Sequence, residues 1–321
     1  MKKIRKIGLV VALMALCLVN AFAGGSTESA KTTYTVGICQ LVQHEALDAA
    51  TQGFKDALTA AFGDDVKILE QNASGDSATC ITIVNGFVSS NVDLIMANAT
   101  ASLQAAQAAT GDIPILGTSI TDYGTALGVS DFTGVTGTNI SGTSDLAPLD
   151  QQAAMILELF PETKKVGLLY CSAEANSSYQ VNTIRGILEA KGIECKDFAF
   201  ADSNDVASVA ENACAWSDVI YVPTDNTAAS CTQTIRNVVE PNKTPVIAGE
   251  EGICKGCGVA TLSISYYDLG YKTGEMAVSI LKGEAEVSSM PIQYSPGFTK
   301  EYNAELCAAL GITVPSDYKA I

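Results

Sequence analysis

A strand-then-helix alternation that runs through once, stops and starts again constrains this chain more than any single motif does. Tyr34-Thr35-Val36-Gly37-Ile38 is a short β-prone run, and residues 45–60 put Leu47, Ala50, Phe54, Ala57 and Leu58 at helical spacing. Strands are expected over 66–70, 93–97 and 113–117, with helices over 76–88 and 102–110 between them. A Gly/Ser/Thr-rich stretch, 133–144, then precedes a helix over 148–160, and Lys165-Val166-Gly167-Leu168-Leu169-Tyr170 echoes the first strand. Helices over 176–190, 204–214 and 226–239 alternate with strands near 194–199, 218–222 and 245–248. Crossovers of this length between short buried strands require parallel sheets covered by helices on both faces. The fold class is therefore α/β, two Rossmann-like lobes with parallel sheets joined by a hinge.

The expected organisation has a signal peptide over 1–23 and a linker over 24–32. Lobe 1 follows over 33–143 and lobe 2 over 144–248. Residues 249–283 are expected to return to lobe 1, with a strand at 259–264 and an amphipathic helix at 268–281. The C-terminal segment 284–321 belongs mainly to lobe 2. The leader rests on a basic front of Lys2, Lys3, Arg5 and Lys6, an apolar run over 7–19, and small residues at Ala21 and Ala23. No later run approaches 18 uninterrupted apolar residues, so no membrane span is expected. Leu16 before Cys17 is bulky where a lipoprotein signal takes a small residue, which argues against a lipid anchor. The protein is expected in the periplasm or at the cell surface.

Losing four of 19 basic residues and none of 35 acids with the leader takes the formal charge from −16 to about −20. Such a surface repels nucleic acid and anionic headgroups, and no nucleic-acid partner is expected. One of the ten cysteines lies in the leader, and an odd number cannot all pair internally. Most occupy strand or helix patterns where a small hydrophobe serves as well. Cys254-Lys255-Gly256-Cys257 alone has suggestive spacing, but it lacks a second ligand pair and His44 is the only histidine. No metal and no cofactor are expected.

Two lobes in series suit either a two-domain enzyme or a hinged binding protein. No G-x-G-x-x-G, phosphate-binding loop or nucleophile elbow stands after a strand, and no acid–base pair suggests itself. Catalysis is not expected. In doubly wound sheets ligands bind at the carboxyl ends of the strands. Those ends carry Gln40 and His44, then Ala99, Thr100 and Ala101, then Thr118, Thr121, Asp122 and Tyr123. In the second half they carry Asn176 and Ser177, then Asp225 and Asn226, then Glu250. Thr100 at a helix N-terminus suits a carboxylate, and Asp225 and Glu250 would accept from an ammonium. Thr100, Asn176 and Asp225 could equally serve as helix N-caps. Tyr123, Phe87, Tyr179 and Trp216 are the rings available to an aromatic ligand, with Tyr123 foremost.

Several stretches resemble substrate-binding proteins of ABC transporters, the branch that includes tryptophan/tyrosine-type binding proteins with a type I periplasmic-binding fold. They include Val36-Gly37-Ile38-Cys39-Gln40, Asp93-Leu94-Ile95 with Ala99-Thr100, Glu174-Ala175-Asn176-Ser177 and Tyr221-Val222-Pro223-Thr224-Asp225-Asn226. The resemblance runs in order through the chain beyond the leader. It implies a monomer that traps a small molecule between its lobes, an L-amino acid with an aromatic side chain foremost, and delivers it to an ABC permease. It also implies that the loops holding Thr100, Thr118, Asn176 and Asp225 surround the ligand. Thr121-Asp122-Tyr123 departs from the family's T-D-P, and Tyr170-Cys171 from its Tyr-Asn. A nucleoside or sugar ligand, or a secreted carboxylate-based hydrolase, are the alternative readings.

Overall fold

Leu94 and Met96 face one helical layer while Ile95 and Ala97 face the other, so this strand is apolar throughout and buried on both sides. A computed structural model describes residues 33–321. The expected leader and linker, 1–32, lie outside the described residues. The strands are β1 (Tyr34–Gln40), β2 (Val66–Asn72), β3 (Leu94–Asn98), β4 (Ile115–Ile120), β5 (Ile140–Ser144), β6 (Lys165–Cys171), β7 (Glu194–Phe200), β8 (Val219–Val222), β9 (Val246–Ala248), β10 (Ala260–Ser263), β11 (Gln293–Tyr294), β12 (Thr299–Tyr302) and β13 (Lys319–Ala320). The first sheet has the order β11-β5-β4-β3-β1-β2, the second β13-β12-β10-β9-β8-β6-β7. All pairings are parallel except β10 with β12.

In the second sheet Val166, Leu168, Val219 and Tyr221 pack into one core layer, and Leu169, Ile220, Val222 and Val246 into the other. Each lobe is thus a three-layer sandwich, the arrangement anticipated for short buried strands joined by helices. Among the described residues no helix is long and apolar enough to cross a membrane.

The chain crosses between lobes later than expected. β10 was placed in the returning segment 249–283, yet it joins the second sheet, parallel to β9 and antiparallel to β12. Its residues are buried throughout because the strand is interior to that sheet. The preceding helix, Glu251–Cys257, also belongs to the second lobe, burying Ile253, Cys254 and Cys257 in its core. The return comes only with the helix Tyr266–Leu281, which lies along Glu45–Phe62 of the first lobe. Glycine permits that approach: a Cβ at Gly270 would stand 1.9 Å from Ala50 O, and one at Gly53 would stand 2.1 Å from Tyr267 O. The tail is divided as well. β11 extends the first sheet beside β5, while β12 and β13 close the second. The helix expected over 226–239 is broken at Cys231 into Asn226–Ser230 and Thr232–Val239.

Candidate functional site

The carboxyl ends of both sheets face each other across a cleft of about 300 Å³. The first lobe contributes Leu41 and Val42, residues 74–77, and Thr100, Ala101 and Gln104. The second contributes Cys171, residues 173–176, residues 201–203, and Asn226, Thr227 and Ser230.

Internal hydrogen bonds fix the first-lobe loops. Gln40 Nε2 donates to Val42 O at 2.9 Å and Asp48 Oδ1 at 2.6 Å, while its Oε1 accepts from Thr51 at 2.6 Å. Ala99 takes φ 88°, a conformation that favours glycine, and the helix Thr100–Ala109 begins directly after it. This turn brings the Thr100 side chain and the free N–H groups of that helix to the cleft. Ser119, at φ 56°, is similarly strained, and its buried hydroxyl has no partner among the described residues. The strained residue lies where the register of β4 against β5 shifts, between Gly117 and Ile120.

On the second lobe, Glu174 is the organising acid. Its Oε2 accepts from Asn226 N at 3.0 Å, Asn226 Nδ2 at 2.7 Å and Asn176 Nδ2 at 3.1 Å. Its Oε1 accepts from Thr227 N and Thr227 Oγ1, both at 2.8 Å. Asp225 lies behind it, accepting from Cys171 N and Ser177 Oγ at 2.7 Å and from Ala228 N at 2.8 Å. Burial first, and then the Glu174 charge, push the Asp225 carboxyl up to about 8. Glu250 caps Glu251–Cys257 through Gly252 N at 2.7 Å and Ile253 N at 2.5 Å, and burial pushes it up to about 7.

Of the residues singled out from sequence, Thr100, Ala101, Asn176 and Asn226 line the cleft together. His44 meets Asn226 across it: Nε2 lies 3.3 Å from Asn226 Oδ1. Burial lowers the His44 pKa, so the ring is neutral at pH 7 and donates Nε2–H to that oxygen. Gln40, Ala99, Ser177 and Asp225 stand one layer behind, holding the loops. Thr118 turns inward to Thr143 at 3.2 Å, and Thr121 lies beside Asp145. Asp122 caps the helix Tyr123–Leu127 through Thr125 N. Glu250 lies away from the cleft residues, beside Glu45 and Tyr266.

Tyr123 does not bring its ring to the cleft. It is 2% exposed, and its hydroxyl lies 3.0 Å from Gly117 O and 3.2 Å from Thr143 O. Gly117 and Gly142 leave the space it fills, since a Cβ at either would come within 2.5 Å of that hydroxyl. Phe87 is buried against Gly37, and Trp216 packs on Phe198 beneath Lys165 and Lys196. Tyr179 packs beside the core of the second lobe. Among the described residues no aromatic side chain lines the cleft.

Two residues of consequence stood outside the site expected from sequence. Glu174 was visible as the first residue of Glu-x-Asn-Ser, but four of its five donors come from Asn226 and Thr227, on a different loop. Asp145, at the first crossing between lobes, is 5% exposed and accepts from Tyr266 Oη at 2.9 Å, while its Oδ1 has no partner among the described residues. Burial pushes Asp145 up to about 6. Among the described residues no group of three or more His, Cys, Asp and Glu is placed to hold a metal ion, and the nine described cysteines are free thiols.

Two α/β lobes, three crossings and a cleft closed by cross-lobe contacts define a hinged ligand-trapping protein. The family model for ABC transporter substrate binding proteins matches residues 35–319, and the chain belongs to that family. It is 37% identical over 291 residues to the tyrosine-binding protein of Clostridioides difficile, covering 88% of this chain and 84% of that one. A Streptococcus pneumonia domain in complex with L-Trp has 31% identity, covers 90% of this chain and 100% of its own, and superposes with a TM-score of 0.85. The ligand-free, open structure of a Clostridium difficile substrate binding protein with adhesive properties has 38% identity and covers 90% and 99%, but its TM-score is 0.68. The relative with more shared sequence is the poorer match in shape. This chain is therefore arranged like the L-Trp complex and unlike the open protein, in keeping with its cross-lobe contacts.

Proposed function

We propose that this chain captures an L-α-amino acid with an aromatic side chain in the interlobe cleft, outside the cytoplasm, and presents it to an ABC permease. The observation that carries the reading is the charge of the cleft wall. Asp76, Glu174 and Asp202 line it, and among the described residues no lysine or arginine does. Glu174 is met by its five donors, but Asp202 bonds Asn204 through Oδ1 alone and leaves Oδ2 for an ammonium group, and Thr100 with the helix N-terminus behind it suits a carboxylate on the opposite side. A zwitterion satisfies both.

The aromatic part of the reading is supported by the relatives that bind tyrosine and L-Trp. The volume of the cleft suits one such molecule. With no ring in the wall, the ligand's ring would lie against Leu41, Val42, Ala101 and Ala173, which are apolar and shallow.

A thermal-shift panel of the twenty amino acids, nucleosides and simple sugars tests the proposal. A ligand at 100 times its Kd adds about 2.7 kcal/mol to the native state. Shifts confined to tyrosine, tryptophan or phenylalanine support it, and shifts confined to sugars or nucleosides reject it.

A further inference from the structure

Cys39, Cys80 and Ser102 come from three different elements and meet inside the first lobe. Cys39 precedes the last residue of β1, Cys80 lies in the first turn of Ser77–Ser89, and Ser102 in the first turn of Thr100–Ala109. Ser102 Oγ accepts from Cys39 Sγ at 3.6 Å, which leaves its own proton for Cys80 Sγ, also at 3.6 Å. Both sulfurs therefore lie 3.6 Å from the one Ser102 oxygen. All three residues are fully buried. A buried cysteine needs no partner, since it packs as a small hydrophobe. Cys257 and Cys307 illustrate this, donating only to the carbonyls of Ile253 and Val259.

The position of the cluster gives it consequence. Leu41 and Val42 follow directly after Cys39-Gln40, residues 74–77 lead into the turn that carries Cys80, and Thr100 and Ala101 directly precede Ser102. Every first-lobe segment that lines the cleft is rooted at these three side chains.

We propose that Cys39 and Cys80 are a dithiol–disulfide pair, oxidised by exchange with an external disulfide to a bond that ties β1 to the helix Ser77–Ser89 and stiffens the first-lobe wall of the cleft. Cys80 is the point of entry. The Ser102 hydroxyl is placed to donate to the Cys80 sulfur and so to stabilise its thiolate, whereas Cys39 gives its own proton to that hydroxyl. Residues 74–79 are all exposed, so lifting one helical turn uncovers the sulfur. The Cys80 thiolate, its proton released to water, attacks one sulfur of the donor disulfide and expels a thiolate. Cys39, deprotonated in turn, attacks the Cys80 sulfur of the mixed disulfide and expels the second. Two S–H bonds and one donor S–S bond become one Cys39–Cys80 bond and two donor thiols. The cysteines lose two electrons and the donor gains them.

The test uses the full chain, equilibrated once with oxidised glutathione and once with dithiothreitol. A second oxidised sample is refolded from denaturant in the same buffer. Alkylation of free thiols with N-ethylmaleimide under denaturing conditions and peptide mass mapping then locate any bond. The expected result is a Cys39–Cys80 linked peptide in an oxidised sample, absent after reduction, with the remaining described cysteines alkylated. Cys39→Ser and Cys80→Ser should each abolish it. Amide exchange of residues 74–77 should slow at least several-fold on oxidation of the wild type and stay constant in Cys80→Ser. Full alkylation of both cysteines in both oxidised samples, or linkage of either to a different cysteine, would overturn the pairing. Unchanged exchange in a chain that carries the bond would overturn its effect on the wall.

Discussion

His44 and Asn226, at the starts of the helices that follow β1 and β8, stand on opposite lobes with 3.3 Å between Nε2 and Oδ1. On the same side Lys255 of the second lobe bonds Glu45 of the first while holding Glu251 at 2.6 Å. Asn226 is committed to Glu174 through Nδ2, so its oxygen is the atom left for the other lobe. Closure is therefore read by side chains that also organise the cleft wall.

Replacing His44 by alanine removes a contact that exists only between closed lobes. A neutral hydrogen bond contributes about 1 kcal/mol. Affinity for the cognate amino acid should fall about fivefold, through faster dissociation, with thermal stability of the ligand-free chain unchanged. Stopped-flow dissociation rates measured beside melting curves check this.

Lys255→Ala should do less. The ion pair with Glu45 is exposed on both sides, and such pairs are worth about 0–1 kcal/mol and are screened by salt. Any loss of affinity should disappear in titrations run at 1 M salt, whereas the loss in the His44 variant should persist.

Asp145 makes the stability of the chain depend on pH in a defined sense. Its folded pKa, near 6, lies above the ordinary carboxylate value, so the folded state holds the proton more tightly than the unfolded one. Its contribution is fully present below pH 4 and is lost as pH rises through 6, amounting to about 3 kcal/mol by pH 8. Asp145→Asn mimics the protonated form. Denaturant titrations should find the variant gaining on the wild type as pH rises from 5 to 8, and a constant difference would contradict the assignment.

Gly270→Ala probes the contact that ties the returning helix to the first lobe. A methyl group there meets a backbone oxygen that cannot move alone. Overpacking of this kind costs about 1–3 kcal/mol, which a lowered denaturation midpoint with an unchanged slope would register.

Most of the fold was legible because its strands are short, apolar and spaced by amphipathic helices. What was hidden had specific physical causes. β5 reads Ile-Ser-Gly-Thr-Ser, without hydrophobic alternation, yet it is buried, because Tyr123 and the hydroxyls of Thr118 and Thr273 fill the space around its small residues. The helix Glu251–Cys257 carries two glycines and declares itself only through the cap that Glu250 supplies. β10 looked like a return to the first lobe because nothing local distinguishes a strand of one sheet from a strand of the other. In the cleft, strand ends identified the loops but not which side chain of each faces inward. Tyr123 was misplaced because the room for its ring comes from two glycines, one on each of two adjacent strands.

The most direct measurement is calorimetric titration of the purified chain with L-tyrosine and L-tryptophan beside tyramine and 4-hydroxyphenylpropanoate, which lack the carboxylate and the ammonium respectively. Recognition of both charged groups predicts micromolar or tighter binding of at least one amino acid, and a Kd at least about 100-fold weaker for each truncated analogue, the loss of roughly 2.7 kcal/mol. An analogue that binds as tightly as the amino acid, or the absence of binding by every aromatic amino acid, would contradict the account.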